Sequence, residues 1–202
     1  MADVYELSAP IDGQDGPIVS VELKRLPTVG DLLSVGVTLE PPQLDGDAML
    51  PILAAALCLP VKVVEALRPF DAYQLFGRVI DRAFGYTVAD DNAQPVGRYA
   101  RLDRGAVVRF PLAVPLKVLA EEQRALAYAE PTLRGMAKVK LSHLVAGNPL
   151  EGVTYAMIVP LLQQTCGLTY AEACALSWYD AVRLVGVLLP LAFAPAQATG
   201  GQ

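Results

Sequence analysis

The sequence predicts an α+β protein of two related units, each a β-hairpin followed by about four short helices, packed together as a pseudo-dimer. Three observations predict it. First, residues 51–84 recur as residues 160–193 without a gap, at a constant separation of 109 positions. Pro51 falls on Pro160, Leu53 on Leu162, Leu59 on Leu168, Asp71 on Asp180, Leu75 on Leu184, Gly77 on Gly186 and Ala83-Phe84 on Ala192-Phe193. Second, Pro27-Thr28 matches Pro131-Thr132 at a slightly shorter separation. Third, a strand-like pair precedes each Pro-Thr: VYEL and IVSVELK around IDGQDGP, then VVRFPLAV and RALAYAE around LAEEQ. Likeness over this length, with Pro, Asp and Gly in register, marks an internal duplication rather than a short solenoid repeat.

The units are placed at 1–84 and 106–196. The polar, aperiodic stretch 85–105 is the connection and 197–202 a flexible tail. In the first hairpin, Val19, Val21 and Leu23 alternate with polar residues between Gly/Asp-rich joints. In the second, Pro111 and Pro115 restrict the strand to an edge or a bulge, because proline has no N–H for a ladder. Thr28-Val29-Gly30-Asp31 opens a short helix.

The later helices start by matched devices. Thr169 and Glu172 form a capping-box pattern, Pro60 holds the equivalent start in the first unit, and Gly167 suits the left-handed stop of the preceding helix. Ser177 is an N-cap and Asp180 an acidic third residue, where open N–H groups and the helix dipole favour a carboxylate. In the first unit Pro69 takes the first helical position and Asp71 keeps the acidic slot. Asp71, Asp180, Ser177, Thr169 and Glu172 are therefore assigned to helix capping. The last helix of the first unit is amphipathic, with Tyr73, Phe76, Val79, Ile80, Ala83 and Phe84 on one face. Asp71, Gln74, Arg78, Asp81 and Arg82 lie on the other.

Composition narrows the function classes. Of 202 residues, 53% are apolar and 18% charged, enough to build a core. The net charge is −5, with Lys and Arg scattered, so no basic stripe points to nucleic acid. The three cysteines, Cys58, Cys166 and Cys174, are an odd number at no metal-ligand spacing, and the thiols read as small core residues in a reducing compartment. The N-terminus lacks the apolar run of a signal peptide. VGVLLPLAFAPA at 185–196 is too short to span a bilayer and reads as a buried C-terminal helix, so no membrane partner is expected. No nucleotide-binding, nucleophile-elbow or metalloprotease motif occurs, and His143 reads as a surface or capping residue. No catalytic, cofactor-binding or metal-ligating residue is assigned, and no cofactor is expected.

The copies disagree at one place. Arg78, Asp81 and Arg82 of the first unit correspond to Val187, Pro190 and Leu191 of the second. Val187, Leu188 and Leu191 are therefore candidate partner-binding residues, on a groove or ridge for a client helix. The alternative is that the first unit covers them.

Val21-Glu22-Leu23-Lys24-Arg25, then Pro27-Thr28-Val29-Gly30-Asp31-Leu32, then a helical part in which Asp71 opens the last helix, resembles the tail assembly chaperone family of contractile-tailed phages. Those proteins carry a strand-borne L-[KR]-x-P-t-x-x-[DE]-L segment and a helical part ending in l-x-x-x-D-x-x-x-l. The likeness covers nearly all of the first unit. In the second it runs through the helices, with Pro131-Thr132 as a remnant and a departure at Arg134-Gly135-Met136. The resemblance implies a non-catalytic protein of the infected host cytoplasm, absent from the mature virion. It implies the tape-measure protein as client, the tail tube protein as a candidate second partner, and leaves homo-oligomerisation open. Two other readings are a structural adaptor that stays in the assembly, and an enzyme whose pocket joins Asp71 or Asp180 to His143.

Overall fold

The computed structural model describes residues 4–33, 46–84, 92–97, 108–119, 121–132 and 154–193. Among them the chain is α+β, with two antiparallel two-stranded sheets and seven helices. The first sheet pairs β1 (Val4–Gly13) with β2 (Gly16–Glu22); the second pairs β3 (Val108–Val118) with β4 (Glu121–Tyr128).

Both hairpins carry the same irregularity. β1 pairs with β2 at Val4↔Glu22, Tyr5↔Val21 and Glu6↔Ser20, then resumes at Ile11↔Ile18. The stretch 7–10 thus faces Val19 alone. β3 pairs at Pro111↔Ala125 and resumes at Leu116↔Gln123, so the stretch 112–115 faces Arg124 alone. One constant shift in numbering, the one that carries Val4 onto Arg109, turns every β1–β2 pair into a β3–β4 pair. Each bulge ends in a proline, Pro10 or Pro115, where no ladder N–H is required. The segment IDGQDGP is not the loop its composition suggests. Buried Ile11 anchors β1 beyond the bulge, and the turn shrinks to Gln14-Asp15, with Gly16 at φ 124°.

The first unit continues with α1 (Val29–Leu32), α2 (Gly46–Leu57), α3 (Val61–Val64) and α4 (Pro69–Phe84). The second has α5 (Tyr155–Cys166), α6 (Tyr170–Ala175) and α7 (Trp178–Phe193). The bounds of α5 and α7 are those of α2 and α4 moved along by the offset that carries Asp71 onto Asp180. α6 begins at the same offset from α3 and is longer, 6 residues against 4. Gly167 ends α5 in the left-handed conformation, φ 68°. Pro69 is the first residue of α4, and Pro60 flanks α3 without a side-chain cap.

On α4 the buried face is turned from the expected one. Ala72, Leu75, Phe76, Val79 and Ala83 are buried together with Asp71, while Tyr73 is 48% exposed. Arg78 and Arg82 are not simply solvated, since their guanidinium groups donate to the carbonyl oxygens of Val4 and Leu23. Of the cysteines, Cys166 is buried, Cys174 half-buried and Cys58 exposed, so Cys58 is not the core residue expected.

One hydrophobic core runs through both units and includes Leu32, Ile52, Leu53 and Leu75 with Leu126, Ile158, Leu162 and Leu184. The units meet at α1, which packs against α2 on one side and α5 and α6 on the other. There Thr28 pairs with Ser177 as an isolated antiparallel bridge. Val29 N donates to Leu176 O at 2.9 Å and Trp178 N to Pro27 O at 2.8 Å. Gly30 permits this approach, since a Cβ there would lie 3.1 Å from Cys174 O. No helix among the described residues is long and apolar enough to cross a membrane.

Candidate functional site

A bulge of this size removes strand N–H groups from the ladder and leaves them in need of another acceptor. In each unit the acceptor is the aspartate in the first turn of the last helix. Asp71 is 1% exposed. Its carboxylate accepts from Tyr5 Oη at 2.9 Å, from Ser8 N at 3.1 and 3.2 Å and from Ser8 Oγ at 2.7 Å. Asp180 is 0% exposed. It accepts from Ala113 N and Val114 N, both at 2.9 Å, from Ser177 Oγ at 2.9 Å and from Arg183 Nη1 at 3.0 Å. Ser8 and Ala113 are related by the shift that relates the hairpins, and the two aspartates by the shift that relates the helices.

Beyond the helix-start role expected of them, both carboxylates fasten the bulged strand to the helix. Ser177 does accept from Asp180 N, at 3.1 Å. Thr169 and Glu172 close a reciprocal capping box, with Thr169 N to Glu172 Oε2 at 2.9 Å and Glu172 N to Thr169 Oγ1 at 3.3 Å. Burial pushes the Asp71 carboxyl up, but the bonds from Ser8 and Tyr5 and the charge of Arg68 outweigh it and hold it below the usual range. Burial, then the bond to Asp71, pushes the Tyr5 phenol up.

An arginine stacks beside each anchor. Arg78 lies 5.0 Å over the Tyr5 ring and Arg183 lies 4.9 Å over the Phe110 ring. Tyr5 and Phe110 are equivalent strand positions, but Arg183 sits one helical turn earlier on its helix than Arg78 does. Sequence alignment of the helices alone therefore hides the correspondence.

The Pro-Thr segment of the first unit is equally interlocked. Thr28 caps α1 in a capping box with Asp31. Asp31 Oδ1 accepts from Arg25 Nη2 at 2.8 Å. The Arg25 bond, opposed by burial and helped by Thr28, lowers the Asp31 pKa to about 2. Leu23 and Leu32 are buried. In the second unit Thr132 Oγ1 accepts from Gln164 Nε2; Arg134, Gly135, Met136 and His143 lie outside the described residues.

Chemically, these carboxylates are engaged by donors from their own chain. No group of three or more His, Cys, Asp or Glu side chains among the described residues is placed to hold a metal ion. Burial raises the Cys166 thiol to about 12, which keeps it protonated and unreactive.

The candidate partner-binding residues are mostly covered. Leu188 is 0% exposed and belongs to the core, which corrects its assignment to a client surface. Val187 and Leu191 are half-buried and packed against the same core. The reason is the breadth of the buried face of α7, which takes in Leu184, Val185, Leu188 and Leu189. Among the described residues, open surface elsewhere includes two shallow grooves of about 330 and 380 Å³. The larger runs between Lys117–Leu119 at the second hairpin tip and α6; the smaller lies on β2 beside Leu57 and Leu59.

The chain matches no protein-family model, no curated protein and no solved structure.

Proposed function

We propose that this protein is a non-catalytic tail assembly chaperone of a contractile-tailed phage, made by duplication of one hairpin-and-helix unit whose copies pack as a pseudo-dimer. It acts in the infected cytoplasm, keeps the helical tape-measure protein soluble while the tail tube grows, and leaves before the virion is complete. The duplication rests on the recurrence of the same bonds in both units. Besides the hairpin registers and the aspartate anchors, Lys24 N donates to Ala56 O at 3.0 Å and Ala129 N to Thr165 O at 2.9 Å. The two donors are again related by the hairpin shift and the two acceptors by the helix shift.

The observation that carries the functional reading is the Leu23–Leu32 segment. Its motif residues are tied together by the Arg25–Asp31 pair, the Thr28 cap and buried Leu23 and Leu32, and it joins the two units. These contacts give the residues that carry the resemblance a structural role. A protein whose residues serve folding and whose composition is rich in apolar helix suits a binder of other apolar helices.

The test is co-expression with the tape-measure protein of the same phage. The expected result is a soluble complex with this protein and aggregated tape-measure protein without it. Equal solubility in both cases, or stoichiometric amounts of this chain in purified virions by mass spectrometry, refutes the reading.

A further inference from the structure

The two units differ most in what lies on one face of their hairpins. In the second unit that face is an interface: Gln123, Ala125 and Ala127 of β4 are fully buried. The segment 92–97 of the chain runs along it. Arg109 Nη1 donates to Ala93 O at 2.9 Å, and Val96 N donates to Gln123 Oε1 at 3.1 Å. The equivalent residues of the first unit are uncovered. Ile18 and Ser20 are half-buried and Glu22 is exposed, and Val4, standing where the second unit has Arg109, is 48% exposed. With Lys24 and Leu59 they line the open groove of about 330 Å³.

The chemistry of this open face complements itself. Glu22 and Lys24 are next-but-one neighbours and line the same groove, as the period of an extended chain requires. Both are exposed, and neither forms an ion pair among the described residues. A two-fold axis that crosses the chain at Leu23, the residue between them, would place Glu22 of each copy opposite Lys24 of the other. Val4, Ile18 and Leu59 supply the apolar surface around the pairs.

We propose that this groove is the contact between two copies of the chain, related by a two-fold axis and held by two reciprocal Glu22–Lys24 ion pairs. It is thus the counterpart between molecules of the contact the second unit makes with residues 92–97. The proposal is independent of the chaperone reading, since it is tested on the purified chain alone.

Sedimentation velocity of the full chain across the micromolar range should show a dimer. Glu22→Lys alone and Lys24→Glu alone should each weaken it by at least about tenfold, because each sets like charges against each other. The double exchange Glu22→Lys with Lys24→Glu should restore it. All these side chains are exposed, so the fold should survive, as circular dichroism will check. Val4→Arg is a second probe: the strand accepts arginine at the equivalent Arg109, so the variant should fold and be monomeric. A wild type that is monomeric throughout, a dimer indifferent to the single reversals, or a double exchange as dissociated as the singles overturns the proposal.

Discussion

Replacing Asp180 by alanine removes an acceptor from four donors at once. Two of them, Ala113 N and Val114 N, belong to a strand whose ladder the bulge has already interrupted, so no partner stands by to take them. Asp180 is 0% exposed, so water does not replace the carboxylate unless the structure opens. Leaving a buried donor unsatisfied costs about 1–3 kcal/mol each. Arg183 also loses its ion-pair partner, and removing one member of a buried pair costs about 3–5 kcal/mol. These effects overlap, and Arg183 keeps its contacts with Pro111 O and two aromatic rings. The expected loss is therefore about 3–5 kcal/mol, well above the ~0.5–2 kcal/mol of a helix cap alone. Asp180→Asn, which keeps one acceptor but not the charge, should lose roughly half as much. Urea unfolding with an unchanged slope measures both. A loss for Asp180→Ala below about 1 kcal/mol would show that the bonds to the bulge contribute nothing net, and the anchoring argument would fall.

Asp71→Ala should cost less, about 2–3 kcal/mol, because the side chain and backbone of Ser8 lie at an exposed strand position that water reaches. The Asp31 pKa of about 2 sets a pH window: the stabilisation is present above about pH 4 and is lost as pH falls towards 2. Asp31→Asn should therefore lose about 1 kcal/mol at pH 7, discounted for the pair's exposure, and converge with the wild type near pH 2 in acid titrations followed by circular dichroism. Leu188→Ala should lose about 2–5 kcal/mol as a core truncation, and Val187→Arg with Leu191→Arg should destabilise the isolated protein, both read by thermal melting. Gly30→Ala should lower stability by about 1–3 kcal/mol, since its Cβ would press on the Cys174 carbonyl, and a neutral result would show that α1 and α6 yield without cost.

The helices were legible because their start signals are local. Pro69, Thr169, Gly167 and the Thr28–Asp31 box each satisfy or omit backbone groups within one turn, and the chain spells this out. The aspartate anchors were half legible. An acidic residue at the third helical position has a sufficient local explanation, and nothing nearby in sequence announces that the carboxylate turns to a strand far upstream. The missed signal was a second alignment, in which Leu7 falls on Leu112 and Pro10 on Pro115, and which marks two equivalent bulges. A bulge of extra strand residues leaves N–H groups to be satisfied, and Asp71 and Asp180 are the acceptors that satisfy them. The surface of α7 admits two readings from sequence because burial depends on tertiary packing. The loss of polar residues on one helix face predicts cover, but not whether the chain or a partner supplies it.

The bridge at Thr28 and Ser177 also sets a timetable. Pro27 O receives its hydrogen from Trp178 N, the first residue of the last helix. At about 5–20 residues per second of synthesis, the first unit, whose last helix ends at Phe84, waits roughly 5–20 seconds for that partner. During that interval Leu32 and its neighbours on α1 have no second-unit helices to pack against, so the nascent chain exposes an unfinished apolar seam. A ribosome paused after the first unit thus holds an incomplete molecule, and the last helix to emerge closes the first one made.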